Sequence, residues 1–466
     1  MDSNKTNTHA VENSVLPRKR IKTDPTAEMY NSKRTYDLPE YTPFWYVAKR
    51  YPELQTYLVS VDKYNNTGRK STLDFKNPDA VRTLNKALLR VYFDLDVTIP
   101  NESLCPPVAN RLNYIKWIKS NIVAEFWPGY SIRGLDIGTG ASCIYPLLGA
   151  RVLANSSFIG TDVNSTSIAV ANQNIAANSL ENRIQTYLNT DRQTKLPIDN
   201  SDFPINWDAD ADGSVLLFNM CNPPFYDSPE ERQRLRDTKS IGQPSLDING
   251  KDDELYTEGG EEMFLSGLVD ESAVYQKRIK WYSTMIGKKK TLALLKTKIR
   301  SVGAKHIKEG LLIQGRTTRW VLAWSFLSQT RFCLDLEKNT NDAHKWFKGA
   351  ISGLGIAHST ISINKHEKSV DALTCYECSA FEKSWTRQWR RQQIANSEEA
   401  GSGPADADAD GTAELSAKIP ILKFVAEIVD KESGASSGVN LYLNPGFDSN
   451  MLMSLYNHLS RKATST

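Results

Sequence analysis

Cysteine is scarce in this chain, and so is any long apolar run. Six cysteines are scattered irregularly through 466 residues, which gives no disulfide framework and points to reduced thiols in a reducing compartment. The longest apolar stretch, around Trp320 to Leu327, is far short of the roughly 20 residues that span a membrane. An excess of one charge is missing too. Fifty-seven Lys and Arg against 54 Asp and Glu leave a net +3, so whole-chain charge announces no polyanionic partner. Residues 1–40 are mostly polar, so no signal peptide is expected and the segment reads as a disordered tail. Within it, Pro17-Arg18-Lys19-Arg20-Ile21-Lys22 resembles a nuclear-import signal, which makes the nucleus the expected compartment. Metal-ligand spacing also fails. Residues 208–213 begin like a calcium loop, but its twelfth position is Asn219, and residues 406–411 fail the same way at Ala417. Cys375 and Cys378 are one pair, with His358 and His366 nearby and no second pair at zinc spacing. No metal is expected.

What the chain does have is an unusual turn. Asn222-Pro223-Pro224-Phe225 follows the apolar run Val215-Leu216-Leu217-Phe218. An Asn side-chain oxygen and a backbone carbonyl beside it can both accept from a planar amino group. The prolines bring no competing N–H and stiffen the loop. Phe225 offers a face on which a base can stack, worth roughly 1–3 kcal/mol. Asn222, Pro223, Pro224 and Phe225 are therefore the catalytic candidates, with an ordinary Pro-Pro turn as the bland alternative.

Upstream lies a ligand cradle. Leu135-Asp136-Ile137-Gly138-Thr139-Gly140-Ala141-Ser142 reads as strand, glycine turn and helix start, the opening of a βαβ unit. The glycines let the backbone approach a ligand. The spacing is not that of a dinucleotide fingerprint, and the acid at the strand end suits a cofactor with an amino-acid tail better than a pyrophosphate. A second short strand, residues 157–162, ends in Asp162, 26 positions after Asp136 and close to the offset of roughly 20 at which an acid meets ribose hydroxyls. Residues 165–178 read as a helix, 184–188 as a third strand and 215–218 as a fourth. The series predicts an α/β fold with a parallel sheet and its ligand at the carboxyl ends of the strands. Asp136, Asp162 and Asn222 all fall there.

Together these features resemble the S-adenosylmethionine-dependent amino-methyltransferases. Longer stretches are similar to the methyltransferase-like 16 family, whose bacterial relatives methylate a ribosomal RNA adenine. They are Arg111-Leu112-Asn113-Tyr114-Ile115, residues 136–150, residues 221–225, Glu258-Gly259-Gly260-Glu261, Trp281-Tyr282-Ser283, Met285, Gly287-Lys288-Lys289 and Gln314-Gly315-Arg316-Thr317. The resemblance covers roughly residues 41–330. It implies a Rossmann-like class I methyltransferase sheet, S-adenosylmethionine as cofactor, and N6-methyladenosine in structured RNA as product. In eukaryotes the implied RNA includes the U6 small nuclear RNA. Cofactor contacts are expected on Arg111, Asp136, Gly138, Gly140, Ser142, Asp162 and Asn222, with Glu258 and Glu261 near the catalytic loop. The residues agree with such chemistry. No strong base stands beside the turn and none is needed, because Asn222 and the Pro223 carbonyl can hold the amino group as charge develops.

Charge is uneven where RNA contact is expected. Residues 277–300 hold nine basic residues and no acid. Lys277, Arg278, Lys280, Lys288 and Lys289 lie there, with Trp281 interleaved, and Arg316 and Arg319 follow. Basic residues meet phosphates and aromatic faces meet unpaired bases. The plainer alternative is a solvated face with core aromatics. Residues 41–130 read as a helical RNA-binding module, with Lys49, Arg50, Arg69 and Lys70 as further contacts. Residues 131–330 are the expected methyltransferase domain. Residues 226–257 read as a mobile loop that could close over an extruded adenine, and Arg192 with Lys195 as a second gate. Residues 331–466 read as a small accessory α+β domain interrupted by a low-complexity linker at 394–417. A basic helix at 380–391 is expected in it, with Trp385, Arg387, Trp389, Arg390 and Arg391 towards RNA. Two rival functions stand: transfer to a DNA adenine or a protein glutamine, and an RNA-binding scaffold with weak or no catalysis.

Overall fold

The computed structural model describes residues 36–39, 42–60, 71–126, 129–205, 216–237, 252–314, 317–327, 331–364, 372–386, 388–389, 391–392, 420–430, 436–444 and 447–464. The import-like run, the linker at 394–417 and both calcium-like stretches lie outside them, as do Arg69, Lys70, Arg316, Arg387 and Arg390.

The N-terminal part is helical around a small hairpin. Helix α1 (Phe44–Arg50) precedes strands β1 (Leu58–Ser60) and β2 (Ser71–Leu73), which pair antiparallel. Helix α2 (Pro78–Phe93) starts where the Asn77 side chain accepts from the Asp79 and Ala80 amides, with Pro78 in the first turn. It stops at Asp94 in the left-handed region, φ 52°. Helix α3 (Val108–Asn121) follows and carries Arg111 and Tyr114.

Seven strands then form one sheet. They are β3 (Ile132–Ile137), β4 (Ser156–Asp162), β5 (Ile184–Leu188), β6 (Leu216–Cys221), β7 (Ile279–Ile286), β8 (His306–Gln314) and β9 (Thr317–Ser325), in the order β5-β4-β3-β6-β7-β9-β8. The first five are parallel, β9 runs against them, and β8, antiparallel to β9, returns to their direction. Every residue of β6 is buried, as expected of a strand covered on both faces. Helices α4 (Ile144–Val152) and α5 (Ser165–Ala177) make the crossovers between β3, β4 and β5. Helix α6 (Pro229–Asp237), the short α7 (Asp252–Leu255) and α8 (Gly260–Tyr275) lie between β6 and β7, and α9 (Lys289–Ser301) follows β7. One core joins Leu265, Leu268 and Val269 of α8 and Leu292, Leu295 and Ile299 of α9 to Leu135, Leu216 and Tyr282 of the sheet. Helix α3 packs against β8 at the sheet edge, where the Trp117 ring lies against Gly310. A Cβ there would sit 2.0 Å from Trp117 Nε1.

The chain reverses direction in strand order at β3, which pairs with both β4 and β6. Ile137, Thr161 and Cys221 are level in the register, so the carboxyl ends of three strands open on one rim, where such sheets bind ligands.

Residues 226–257 are not the plain loop their composition suggests. Tyr226 and Tyr256 form a parallel bridge, with Tyr226 N donating to Leu255 O (3.1 Å) and Thr257 N to Tyr226 O (3.0 Å). The two ends of the segment are stapled together, and residues 238–251 lie outside the described residues.

Residues from 331 onward build a second sheet. Strands β10 (Arg331–Leu336), β11 (Ala357–Asn364), β12 (Ala372–Ala380), β13 (Leu422–Asp430) and β14 (Ser437–Leu443) are all antiparallel, in the order β10-β14-β13-β12-β11. Helices α10 (Thr340–Ser352) and α11 (Ser449–Thr464) cover one face through Phe347, Ile351, Leu452 and Leu455. The helix expected at 380–391 is present only at its end, where the described residues 388–389 and 391–392 are helical. Strand β12 runs to Ala380 and a turn follows, with Thr386 N donating to Lys383 O (2.9 Å). Trp385 is 3% exposed and belongs to the core, so its face is not offered to RNA. Arg331 ties this sheet to the N-terminal part, donating to Ala124 O (3.1 Å) and Asn440 Oδ1 (2.9 Å).

Candidate active site

One side of the rim is built by backbone geometry. After β3 the chain turns through Gly138 and Gly140, both at positive φ (73° and 63°), which a side chain would strain. Gly138 N and Thr139 N donate to Thr161 O (2.9 and 2.8 Å), and Gly140 N donates to Asp162 Oδ2 (2.8 Å). Asp162 Oδ1 accepts from Asn164 N (2.9 Å), and the Asn164 side chain caps α5. The expected acids at the ends of β3 and β4 are thus part of one folded cradle. A Cβ on Gly138 would meet no protein atom within 4 Å, so that approach is left open to a ligand.

These residues line one cleft, about 1030 Å³ including its open mouth. Arg111, Gly138, Gly140, Ser142, Asp162 and Asn222 are brought together in it. Asp136 lies at the strand end beneath them, 1% exposed, and neither carboxyl oxygen has a hydrogen-bond partner. Burial pushes its carboxyl from 3.8 up to about 7; Thr139 and the Arg111 guanidinium pull downward and Asp162 adds to the rise. Arg111 donates from Nη1 to the Tyr145 hydroxyl (2.9 Å), while its buried Nε has no partner. An orphaned acid next to the cleft-lining Ile137, and an orphaned guanidinium N–H on the cleft-lining Arg111, are open valences beside the cleft.

Several lining residues carry no local signal in the sequence. Tyr145, Asn189, Thr194, Phe264 and Glu254 belong to the cleft. Glu254, from α7, accepts from Leu104 N (2.8 Å). It closes a wall that only the folded chain assembles. Arg192 and Lys195 line the opposite wall, where the Lys195 and Leu196 amides donate to Glu271 (2.7–3.0 Å).

The other side begins one residue past β6. Asn222 Oδ1 is buried and without a partner, Pro223 is buried, and Pro224 lines the cleft. Phe225 packs under the Arg319 guanidinium, 5.4 Å from ring centroid to carbon. Burial lowers the Arg319 pKa, while Glu261 and Tyr226 work to raise it. Glu261, 1% exposed, accepts from Gly287 N and from Lys288 N (3.2 Å). Gly287 in turn faces Phe225; a Cβ there would lie 3.3 Å from the ring. Glu261 therefore fastens the end of β7 to the start of α8, and Gly287, held there, packs against Phe225 of the turn.

The basic stretch is arranged differently from its sequence reading. Trp281, 3% exposed, is a core residue of β7 beneath Lys308, and cannot stack on a base where it sits. Lys280 is half-buried, and burial lowers its pKa. The stretch has no acids of its own, but remote ones face it. Arg278 pairs with Asp199, Lys288 with Glu231 (2.9 Å), Lys290 with Glu262 (3.6 Å), Lys296 with Glu309 (2.7 Å) and Lys298 with Asp270 (2.6 Å). Exposed pairs of this kind are worth about 0–1 kcal/mol each, so a polyanion can compete for the lysines. Lys289 is exposed. The side chain of Lys277 lies outside the described residues. Among the described residues no group of three His, Cys, Asp or Glu is placed to hold a metal ion, and no helix is long and apolar enough to cross a membrane.

A family model described as RNA methyltransferase matches residues 27–328. The chain is 38% identical over 319 residues to the RNA N(6)-adenosine-methyltransferase mettl16 of Danio rerio, covering 68% of this chain and 60% of that protein. Against METTL16 of Homo sapiens it is 37% identical over 302 residues, covering 64% and 50%. Against the ribosomal RNA large subunit methyltransferase F of Flavobacterium johnsoniae it is 35% identical over 294 residues, covering 60% and 88%. The chain thus spans half to three fifths of the vertebrate relatives it matches. Its structure resembles the crystal structure of the hMettl16 catalytic domain in complex with MAT2A 3'UTR hairpin 1, with a TM-score of 0.52 and 37% identity, over 62% of this chain and 93% of that one. A cradle at the switch point of a parallel sheet, an Asn-Pro-Pro-Phe turn on the same rim, and a family match across both place this chain in the RNA methyltransferase family that includes the methyltransferase-like 16 proteins and bacterial ribosomal RNA methyltransferase F.

Proposed function

We propose that this protein transfers a methyl group from S-adenosylmethionine to the N6 amino group of an adenine in structured RNA. The observation that carries the reading is the pair of unsatisfied, buried acceptors on one rim, Asp136 on the donor side and Asn222 on the acceptor side. A donor with a charged amino-acid tail fits the first: its ammonium group would satisfy the Asp136 oxygens, and its carboxylate the free Arg111 Nε–H. Asp162, at the end of β4, suits ribose hydroxyls. When bound, that donor supplies an electrophilic methyl carbon.

The protein's own residues do the rest. The adenine N6 lone pair is delocalised into the ring and is a poor nucleophile. Asn222 Oδ1 and the Pro223 carbonyl accept its two N–H groups and favour the nitrogen as positive charge develops. Phe225 stacks on the base, and Arg319 behind the ring holds the Phe in place. The proton leaves to water after transfer, so no general base is required. The main contribution is alignment, which can amount to several kcal/mol of barrier.

The U6 small nuclear RNA is the substrate to test first, and the nucleus the expected compartment; the family resemblance and the basic run at 17–22 support both. A labelled-methyl assay on U6, other hairpin RNAs, DNA and protein pools discriminates the classes. Asn222→Ala should abolish transfer while RNA binding stays within a few-fold. Equal loss of both contradicts the role given to Asn222.

A further inference from the structure

Strands β6 and β7 pair through their backbones at Leu216 with Ile279 and Phe218 with Trp281. One residue later a side chain takes over. Asn219 Nδ2 donates to Ser283 O (2.9 Å) and Asn219 Oδ1 accepts from Ser283 N (3.2 Å). The side-chain amide bonds both the N–H and the C=O of Ser283, and so ties β6 to β7 three residues before Asn222. Ser283 Oγ donates back to Asn219 O (2.5 Å). That uses its single proton, so the Tyr114 hydroxyl, 2.8 Å from Ser283 Oγ, is the donor to it. Tyr114 is fully buried, and its hydroxyl also lies against the backbone of Cys221, the residue before Asn222.

Tyr114 sits one turn from Arg111 on α3, and neighbours three apart share a helix face. Arg111 reaches the donor cleft and bonds Tyr145, and the Tyr114 and Tyr145 rings meet edge to face at 5.6 Å. One helix therefore touches both halves of the site.

We propose that Tyr114 is a positioning residue for methyl transfer: through Ser283 and Asn219 it fixes where β6 ends, and so where Asn222 presents its oxygen relative to the donor cradle held by Arg111. The proposal rests on the methyl-transfer reading above. Tyr114→Phe removes only the hydroxyl. In the full chain, kcat for methyl transfer to RNA should fall about 10- to 100-fold, because small misplacements at a reacting centre have effects of this size. The KM for RNA and the Kd for S-adenosylhomocysteine should stay within about twofold. Ser283→Ala should behave alike, and the double variant should be no worse than the poorer single, as for residues acting as a unit. Amide exchange followed by mass spectrometry gives a readout independent of activity. In Tyr114→Phe, exchange should quicken in residues 219–226 and stay unchanged in residues 135–142. An unchanged kcat, a parallel loss of kcat and cofactor affinity, or unaltered exchange at 219–226 overturns the proposal. If the wild-type chain moves no methyl group to RNA, the functional reading falls, and the exchange comparison still decides whether Tyr114 holds the turn.

Discussion

Replacing Asp136 by Asn should change how the free protein responds to pH. In the fold the carboxyl is pushed to about 7 from 3.8, chiefly by burial. A pKa raised by folding means that the folded state prefers the protonated group. The associated stability is full below the unfolded pKa near 4 and is lost as pH rises through 7. About three pKa units correspond to roughly 4 kcal/mol. The amide of Asn cannot ionise, so this term vanishes in the variant. Both side chains leave polar atoms unpaired, and that cost cancels when the two proteins are compared across pH. The stability of the variant relative to wild type should therefore improve by about 4 kcal/mol between pH 4 and pH 8.5 without cofactor, most steeply between about pH 5 and pH 6 and levelling off above 7. Urea unfolding at a series of pH values measures it. The same variant should lose most of its affinity for S-adenosylhomocysteine, a trade of stability against binding. Parallel stability curves for the two proteins would refute the burial of an unpaired acid beside the cleft.

Two further substitutions test the surroundings of the site. Glu261→Ala strands the Gly287 and Lys288 amides, so it should cost about 2–3 kcal/mol and lower kcat through a loosened Phe225. Unchanged melting and activity would show that the Glu261 contacts are dispensable. Trp281→Ala should cost about 3–5 kcal/mol of stability, as large core truncations do. A stable variant that merely binds RNA less well would return Trp281 to the RNA-stacking role that the fold denies it.

The donor cradle was legible because its signals are local. Glycines at 138 and 140 announce positive φ, and acids at strand ends announce a rim. Asn222 was legible because two prolines isolate it from any regular element. Trp281 was not, since its basic neighbours are adjacent in sequence while Asp199, Glu231, Glu262, Asp270 and Glu309, which face that stretch, come from elsewhere. Residues 380–391 misled in another way. The basic residues there suit a helix, but cross-strand pairing of β12 with β13, with Ala380 opposite Leu422, decides the start of the segment, and such pairing leaves no trace in one strand's own residues. Glu254 offered no cue at all, because its place in the cleft depends on the stapling of Tyr226 to Tyr256.

Strand β9 runs against its neighbours, with Trp320 opposite Ile286. Its beginning therefore meets the ends of the parallel strands, and Arg319 arrives at Phe225 from the far end of the sequence. The glycine cradle is encoded early and the guanidinium over the Phe225 ring later, on a hairpin at the sheet edge. A hairpin can be lengthened or redecorated without rethreading the crossovers. Changes in that hairpin would alter what lies over Phe225 while leaving the glycine cradle after β3 untouched.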